Sequence, residues 1–154
     1  ELFLVRVPGP TKEAGSIKSF DVTNAEGAKQ GWFFFGNDLY YRTVIHNDGN
    51  VHFNAAPSVE AKDQFGVVRY SNSPQAENVF PQGDRRFESR WEHAHTGLYK
   101  TKVTVNLPGQ GAATQTVTTL IVTPLAAAIT GGVLLLLLIY LAARRRRKRS
   151  TKKS

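Results

Sequence analysis

LAAAITGGVLLLLLIYLAA, from Leu125 to Ala143, contains no charged residue. It is followed at once by Arg144, Arg145, Arg146, Arg147, Lys148 and Arg149, and then by Lys152 and Lys153. At about 1.5 Å rise per residue, a helix over this stretch is about 28 Å long, close to the roughly 30 Å of a bilayer's hydrocarbon core. Its Leu, Ile and Val side chains each favour insertion by about 0.3–0.6 kcal/mol. A buried helix of a soluble protein would carry a polar stripe, and this stretch carries none. The spacing therefore predicts a single transmembrane helix over residues 125–143. The basic run, rich in topology-setting and anionic-lipid-binding side chains, places residues 144–154 in the cytoplasm by the positive-inside rule. Residues 1–124 are then expected outside the plasma membrane.

Reading outward from the helix, the chain has 154 residues and a formal charge of +8. Eight of its 20 Lys and Arg follow Ala143, leaving twelve basic side chains against 12 acidic ones in the remainder. The charge is juxtamembrane, which argues against a nucleic-acid partner despite a pI near 10. The partner implied is the lipid bilayer. Cysteine is absent, so the outer part must be held by packing alone, a habit that fits a bacterial envelope better than a small animal receptor. No Asn-x-Ser/Thr acceptor occurs, since Asn72-Ser73 is followed by Pro74. The chain contains no Met and opens without a signal-like segment. A removed export signal, and a further domain ahead of Glu1, are expected.

The outer part reads as short strands. Residues 2–7 (LFLVRV) predict a first strand before the Pro8-Gly9-Pro10 breaker. A second runs over 17–22, with Ile17, Ser19 and Asp21 opposite Lys18, Phe20 and Val22, and residues 24–30 predict a loop. Trp32-Phe33-Phe34-Phe35 is the densest aromatic cluster. Core packing of a short strand is the expectation, with a membrane-touching or ligand-stacking loop as the alternative. Leu39 to Asn47 alternates with Leu39, Tyr41, Thr43 and Ile45 on one face. Asn47-Asp48-Gly49-Asn50 is turn chemistry, favoured where φ is positive. Residues 59–63 and 67–70 form a hairpin around Gln64-Phe65-Gly66, and residues 71–84 a loop. Phe87, Ser89 and Trp91 then point inward, followed by Tyr99, Val103, Val105 and Leu107. Pro108-Gly109-Gln110-Gly111 turns the chain into a last strand over 115–123 that runs straight into the span. Strands every 8–12 residues without an amphipathic helix predict an all-β fold, an antiparallel immunoglobulin-like β-sandwich followed by one transmembrane helix.

Few constellations suggest chemistry. His93 and His95 are two imidazoles without cysteine or clustered acids, and read as a polar loop rather than a metal site. There is no nucleophile elbow, no triad order and no phosphate-binding glycine loop. No enzyme activity, catalytic residue or cofactor is expected. Within the span, Ala127-x-x-x-Gly131 and Ala128-x-x-x-Gly132 have the small-residue spacing that permits helix pairing, and so a weak homodimer.

Gly97-x-Tyr99 resembles the tyrosine corner of immunoglobulin-like domains, with His95 where Asp is common and Thr101 in place of the second cysteine. Trp91, Gly97 and Tyr99 are accordingly structural. More widely, Asn47-x-Gly49-Asn50-Val51-His52, Phe65-Gly66, Val79-x-Pro81, Arg86-Phe87, Trp91 and Gly97-x-Tyr99-Lys100 resemble a membrane-proximal domain of bacterial surface proteins. The layout over residues 39–153 is similar to the carboxyl-terminal part of WxL-interacting proteins. That resemblance implies a β-domain, one helix, a short basic tail and a separate amino-terminal wall-binding domain.

The expected function is thus a membrane-anchored stem that supports or presents adhesion, with a cell-wall polymer or another surface protein as partner. One alternative is the tethered part of an envelope enzyme whose catalytic domain lies upstream. Another is a wall-polysaccharide-binding module that uses Trp32 to Phe35 and Tyr40.

Overall fold

The structure, a computed structural model, describes residues 9–150, with side chains as far as residue 142. The strand expected over residues 2–7 lies outside the described residues. Two sheets face each other. One has the order β2 (Lys29–Gln30), β1 (Gly15–Thr23), β4 (Leu39–Asn47), β9 (Asp84–Trp91). The other runs β3 (Phe33–Phe35), β11 (Gly111–Val122), β10 (Gly97–Leu107), β6 (Ser58–Asp63), β7 (Val68–Asn72). A small pair, β5 (Phe53–Ala55) with β8 (Glu77–Val79), covers one end, and α1 (Pro124–Ser150) follows β11. The fold is a mainly antiparallel, immunoglobulin-like β-sandwich with one apolar carboxyl-terminal helix.

Alternation decides what is buried. Leu39, Tyr41, Thr43, Ile45 and Asn47 of β4 all point inward. Phe87, Ser89 and Trp91 do the same on β9, and Tyr99, Val103, Val105 and Leu107 on β10. They build two adjoining clusters rather than one. Trp91, Tyr99 and Val103 join Phe20, Leu39, Tyr41 and Ile121 near the start of α1. Phe87 and Val105 join Ile45, Val79 and Leu107 at the far end. Trp91 stacks on Tyr70 at 5.3 Å and meets Tyr99 edge-on at 5.0 Å, geometries that aromatic quadrupoles favour.

Four expectations need correction. A β-bulge between Ile17 and Ser19 resets the alternation of β1. Ile17 therefore packs against both clusters instead of facing away from Phe20 and Val22. The loop over 24–30 includes β2, which folds back on Thr23 and Val22. The loop over 71–84 includes β8, paired with β5. Finally, Gly49 has no positive φ. The turn there is built by Asn47, whose Oδ1 accepts from Gly49 N at 2.8 Å. A Cβ on Gly49 would collide with the Lys12 carbonyl, so close chain approach rather than handedness demands glycine.

Asn47 also donates through Nδ2 to the carbonyls of Val51 (2.8 Å) and Val79 (2.9 Å). It pins the end of the sandwich opposite to α1, where the chain enters through Lys12 and Asn50. The turn between β10 and β11 lies at that far end as well, since Leu107 pairs with Gly111. The chain thus enters the sandwich at one end and leaves it at the other.

Candidate functional site

The end of the sandwich from which α1 departs gathers most of the unusual features. β11 passes to α1 through Thr123 alone. Pro124 occupies the first helical position, where its missing N–H costs nothing and its φ suits the helix. Thr123 caps the helix, with its carbonyl accepting from Ala127 N at 3.0 Å and Oγ1 from Ala126 N at 3.4 Å. Thr96, in the loop after β9, braces this cap. Its Oγ1 accepts from Thr123 N at 3.0 Å and lies 2.9 Å from Thr123 Oγ1.

The same loop is tied to β10 by the tyrosine corner. Tyr99 Oη donates to the His95 carbonyl at 3.1 Å, and a Cβ on Gly97 would press on the Tyr99 ring. Trp91, Gly97 and Tyr99 thus stand together behind the helix start. Sequence reasoning singled out these three and missed Thr96 and Thr123, because a hydroxyl pair across 27 residues leaves no local signature.

The loop also contains His93 and His95, separated by buried Ala94. His93 has φ 54°, and its N–H donates to Asp38 Oδ1 at 3.0 Å. That bond and the Arg90 guanidinium hold the Asp38 carboxyl below its usual value. A cleft of about 710 Å³ opens beside the loop, lined in part by Asp63, Phe65, Arg69, His95 and Leu98. Partial burial acts upward on Asp63. Arg69 at 2.7 Å and the backbone N–H groups of Val67 and Phe65 outweigh it and hold the carboxyl low. Asp63 is thereby engaged in closing the β6–β7 turn. Among the described residues no three His, Asp or Glu converge in the manner of a metal centre.

The aromatic cluster divides. Phe34 is buried against the core, whereas Trp32, Phe33 and Phe35 are exposed. The expected core packing therefore applies to one ring of four. Alternation along β3 enforces this, since Phe34 pairs beside inward Ile121 while Phe33 and Phe35 flank Leu120 and Val122 on the outer face. Tyr40 stands on the outer face of the other sheet, under the Arg90 guanidinium at 5.7 Å. A single platform of Trp32 to Phe35 with Tyr40 is not assembled.

In α1, Ala127, Ala128, Gly131 and Gly132 lie on a helix that leaves the sandwich, and nothing crowds either glycine. The residues from Pro124 to Ala142 form a helix long and apolar enough to cross a membrane, with none of it buried. The backbone continues helical to Ser150, which includes Arg144, Arg145, Arg146, Arg147, Lys148 and Arg149. Their side chains, and Lys152 and Lys153 altogether, lie outside the described residues.

No protein-family model and no curated protein matches this sequence. Solved structures do. The carboxyl-terminal domain of Wzt is similar over 73% of this chain and 75% of that one, with TM-score 0.55 and 12% identity. The CARDB domain of a Pyrococcus furiosus protein is similar over 74% of this chain and 99% of its own, with TM-score 0.50 and 14% identity. At such identities the likeness is one of fold.

Proposed function

We propose that this chain is the membrane-anchored stem of a bacterial cell-surface protein. Its immunoglobulin-like domain stands outside the plasma membrane, α1 crosses once, and the basic tail is cytoplasmic. One observation carries this reading. The last strand becomes an unburied apolar helix through the single residue Thr123, which is hydrogen-bonded on both sides of the junction. An apolar surface of that length is strongly disfavoured in water and suited to hydrocarbon. The Arg and Lys run after Ala143 supports the inward orientation of the tail. The likeness in layout to WxL-interacting proteins supports a role in presenting an adhesion or interaction module to a wall polymer or surface partner. The spacing of Ala127, Ala128, Gly131 and Gly132 would let two stems pair weakly within the bilayer.

Because the chain lacks cysteine, single cysteines give a clean topology test. Thr114→Cys on the sandwich should react with a membrane-impermeant maleimide on intact cells. Ser154→Cys in the tail should react only after permeabilisation. The reverse pattern would overturn the orientation, and release of the protein by alkaline carbonate would overturn the span. Replacing Arg144 to Arg149 with neutral residues should scramble the labelling, since each basic side chain near an anionic leaflet is worth about 1 kcal/mol.

A further inference from the structure

The exposed apolar side chains of the sandwich are not scattered. Trp32, Phe33 and Phe35 flank the end of β11, Leu98 lies opposite Leu120, and Phe65 tips the β6–β7 turn. All five belong to the end from which α1 departs, and all lie on the five-stranded sheet. Among the described residues of the sandwich, Phe80 is the one large exposed apolar side chain at the far end. Both sheets also carry ion pairs at the α1 end, among them Arg69 with Asp63 at 2.7 Å beside Phe65. On the four-stranded sheet, Arg90 pairs with Asp38 at 3.2 Å and with Glu92 at 3.0 Å.

The backbone fixes where these rings stand relative to the helix. Trp32 O accepts from Leu120 N at 2.7 Å, and Gly36 N donates to Val122 O at 3.1 Å. Phe35 pairs with Val122, two residues before α1. Two residues reach at most about 7 Å and neighbouring strands stand about 4.8 Å apart, so the Phe35 backbone is within about 12 Å of the helix start. Headgroup regions extend about 5–7 Å beyond the hydrocarbon on each side, and Trp is enriched there because its ring is apolar with a polar N–H.

The geometry points to a lipid-docking foot. The sandwich leans on its five-stranded sheet, and Trp32, Phe33, Phe35, Leu98 and Phe65 enter the lipid–water interface around the emerging helix. This rests on the stem reading, and it adds that the domain lies against the bilayer instead of swinging above it. The occupant is lipid because the patch is continuous with the start of α1.

The chain supplies its own probe. It has two Trp, of which Trp91 is 7% exposed in the core and Trp32 is 72% exposed. The full chain is reconstituted in phosphatidylcholine vesicles with and without lipids brominated near the headgroup end of the acyl chain, and insertion is checked separately by resistance to alkaline carbonate. In the inserted protein we expect blue-shifted Trp32 emission that brominated lipid quenches and acrylamide does not. The quenched component should disappear in Trp32→Phe and weaken in Phe33→Ser/Phe35→Ser, all exposed positions. Inserted protein whose Trp32 stays acrylamide-accessible and unquenched by bromine would overturn the foot while leaving the stem intact. Failure to insert would overturn the stem reading and the foot with it. Emission that responds to added soluble peptidoglycan fragments, but not to brominated lipid, would assign the patch to a glycan and overturn lipid docking.

Discussion

The Thr101 hydroxyl donates to Tyr41 Oη at 2.9 Å and joins the two sheets through the middle of the core. Thr101 stands where the resemblance to immunoglobulin domains would place a half-cystine, so a polar contact holds the position of a covalent one. Burial raises the Tyr41 phenol well above its ordinary value, and the phenol stays neutral. Thr101→Val should cost about 1–3 kcal/mol, because it leaves a buried hydroxyl without its partner. Tyr41→Phe combined with Thr101→Val should cost less than the two separately. Urea unfolding of residues 1–124 expressed alone measures the cycle, and strict additivity would deny the bond.

Trp91 touches three tyrosines. Trp91→Ala should destabilise the domain by about 3–5 kcal/mol, the range for deletion of a large buried aromatic. A loss below about 1 kcal/mol would place the ring at the surface rather than in the core.

The tyrosine corner and the threonine bracket act on one loop. Tyr99→Phe should cost about 0.5–1.5 kcal/mol in urea unfolding. Thr96→Val should leave global stability within about 1 kcal/mol, yet speed amide exchange at Thr123 and Ala126. Unchanged exchange at those two amides would show that the bracket does not hold the helix start.

Acid should weaken the four-stranded sheet through Asp84. Its carboxyl is hydrogen-bonded to Lys18 at 2.6 Å and to His46 Nδ1 at 2.6 Å, which holds it below its ordinary 3.8. A carboxyl depressed in the folded state adds stability above its unfolded value, about 3.9, and loses it as pH falls through the folded value. Asp84→Asn should therefore flatten the acid limb of a stability–pH profile below about pH 4. An unchanged limb would mean that Lys18 and His46 hold nothing in solution.

The long strands could be read from the sequence because their period of two is uninterrupted. Leu39 to Asn47 and Gly97 to Leu107 bury alternate residues without a break, and Gly97-x-Tyr99 announces its corner through residue types alone. What escaped depends on partners distant in the chain. The bulge beside Ile17 shifts the phase where no glycine or proline marks it. Strands of two or three residues, such as β2, β5 and β8, have no period to detect. Trp32 to Phe35 misled because four adjacent rings look like core, whereas parallel pairing with β11 fixes which single ring turns inward. Nothing local foretells the neighbour that chooses.

Entry at one end and exit at the other has a mechanical consequence. β10 and β11 are joined by paired residues from Gly97–Ile121 to Leu107–Gly111. Tension applied between the segment ahead of Gly15 and the helix would run along these strands. Ladder hydrogen bonds lie across the strand direction, so such a pull shears the whole β10–β11 ladder at once instead of unzipping it pair by pair. The domain is oriented as a tensile link, in which a pull along the chain must break many weak bonds together before Thr123 is dragged from its cap.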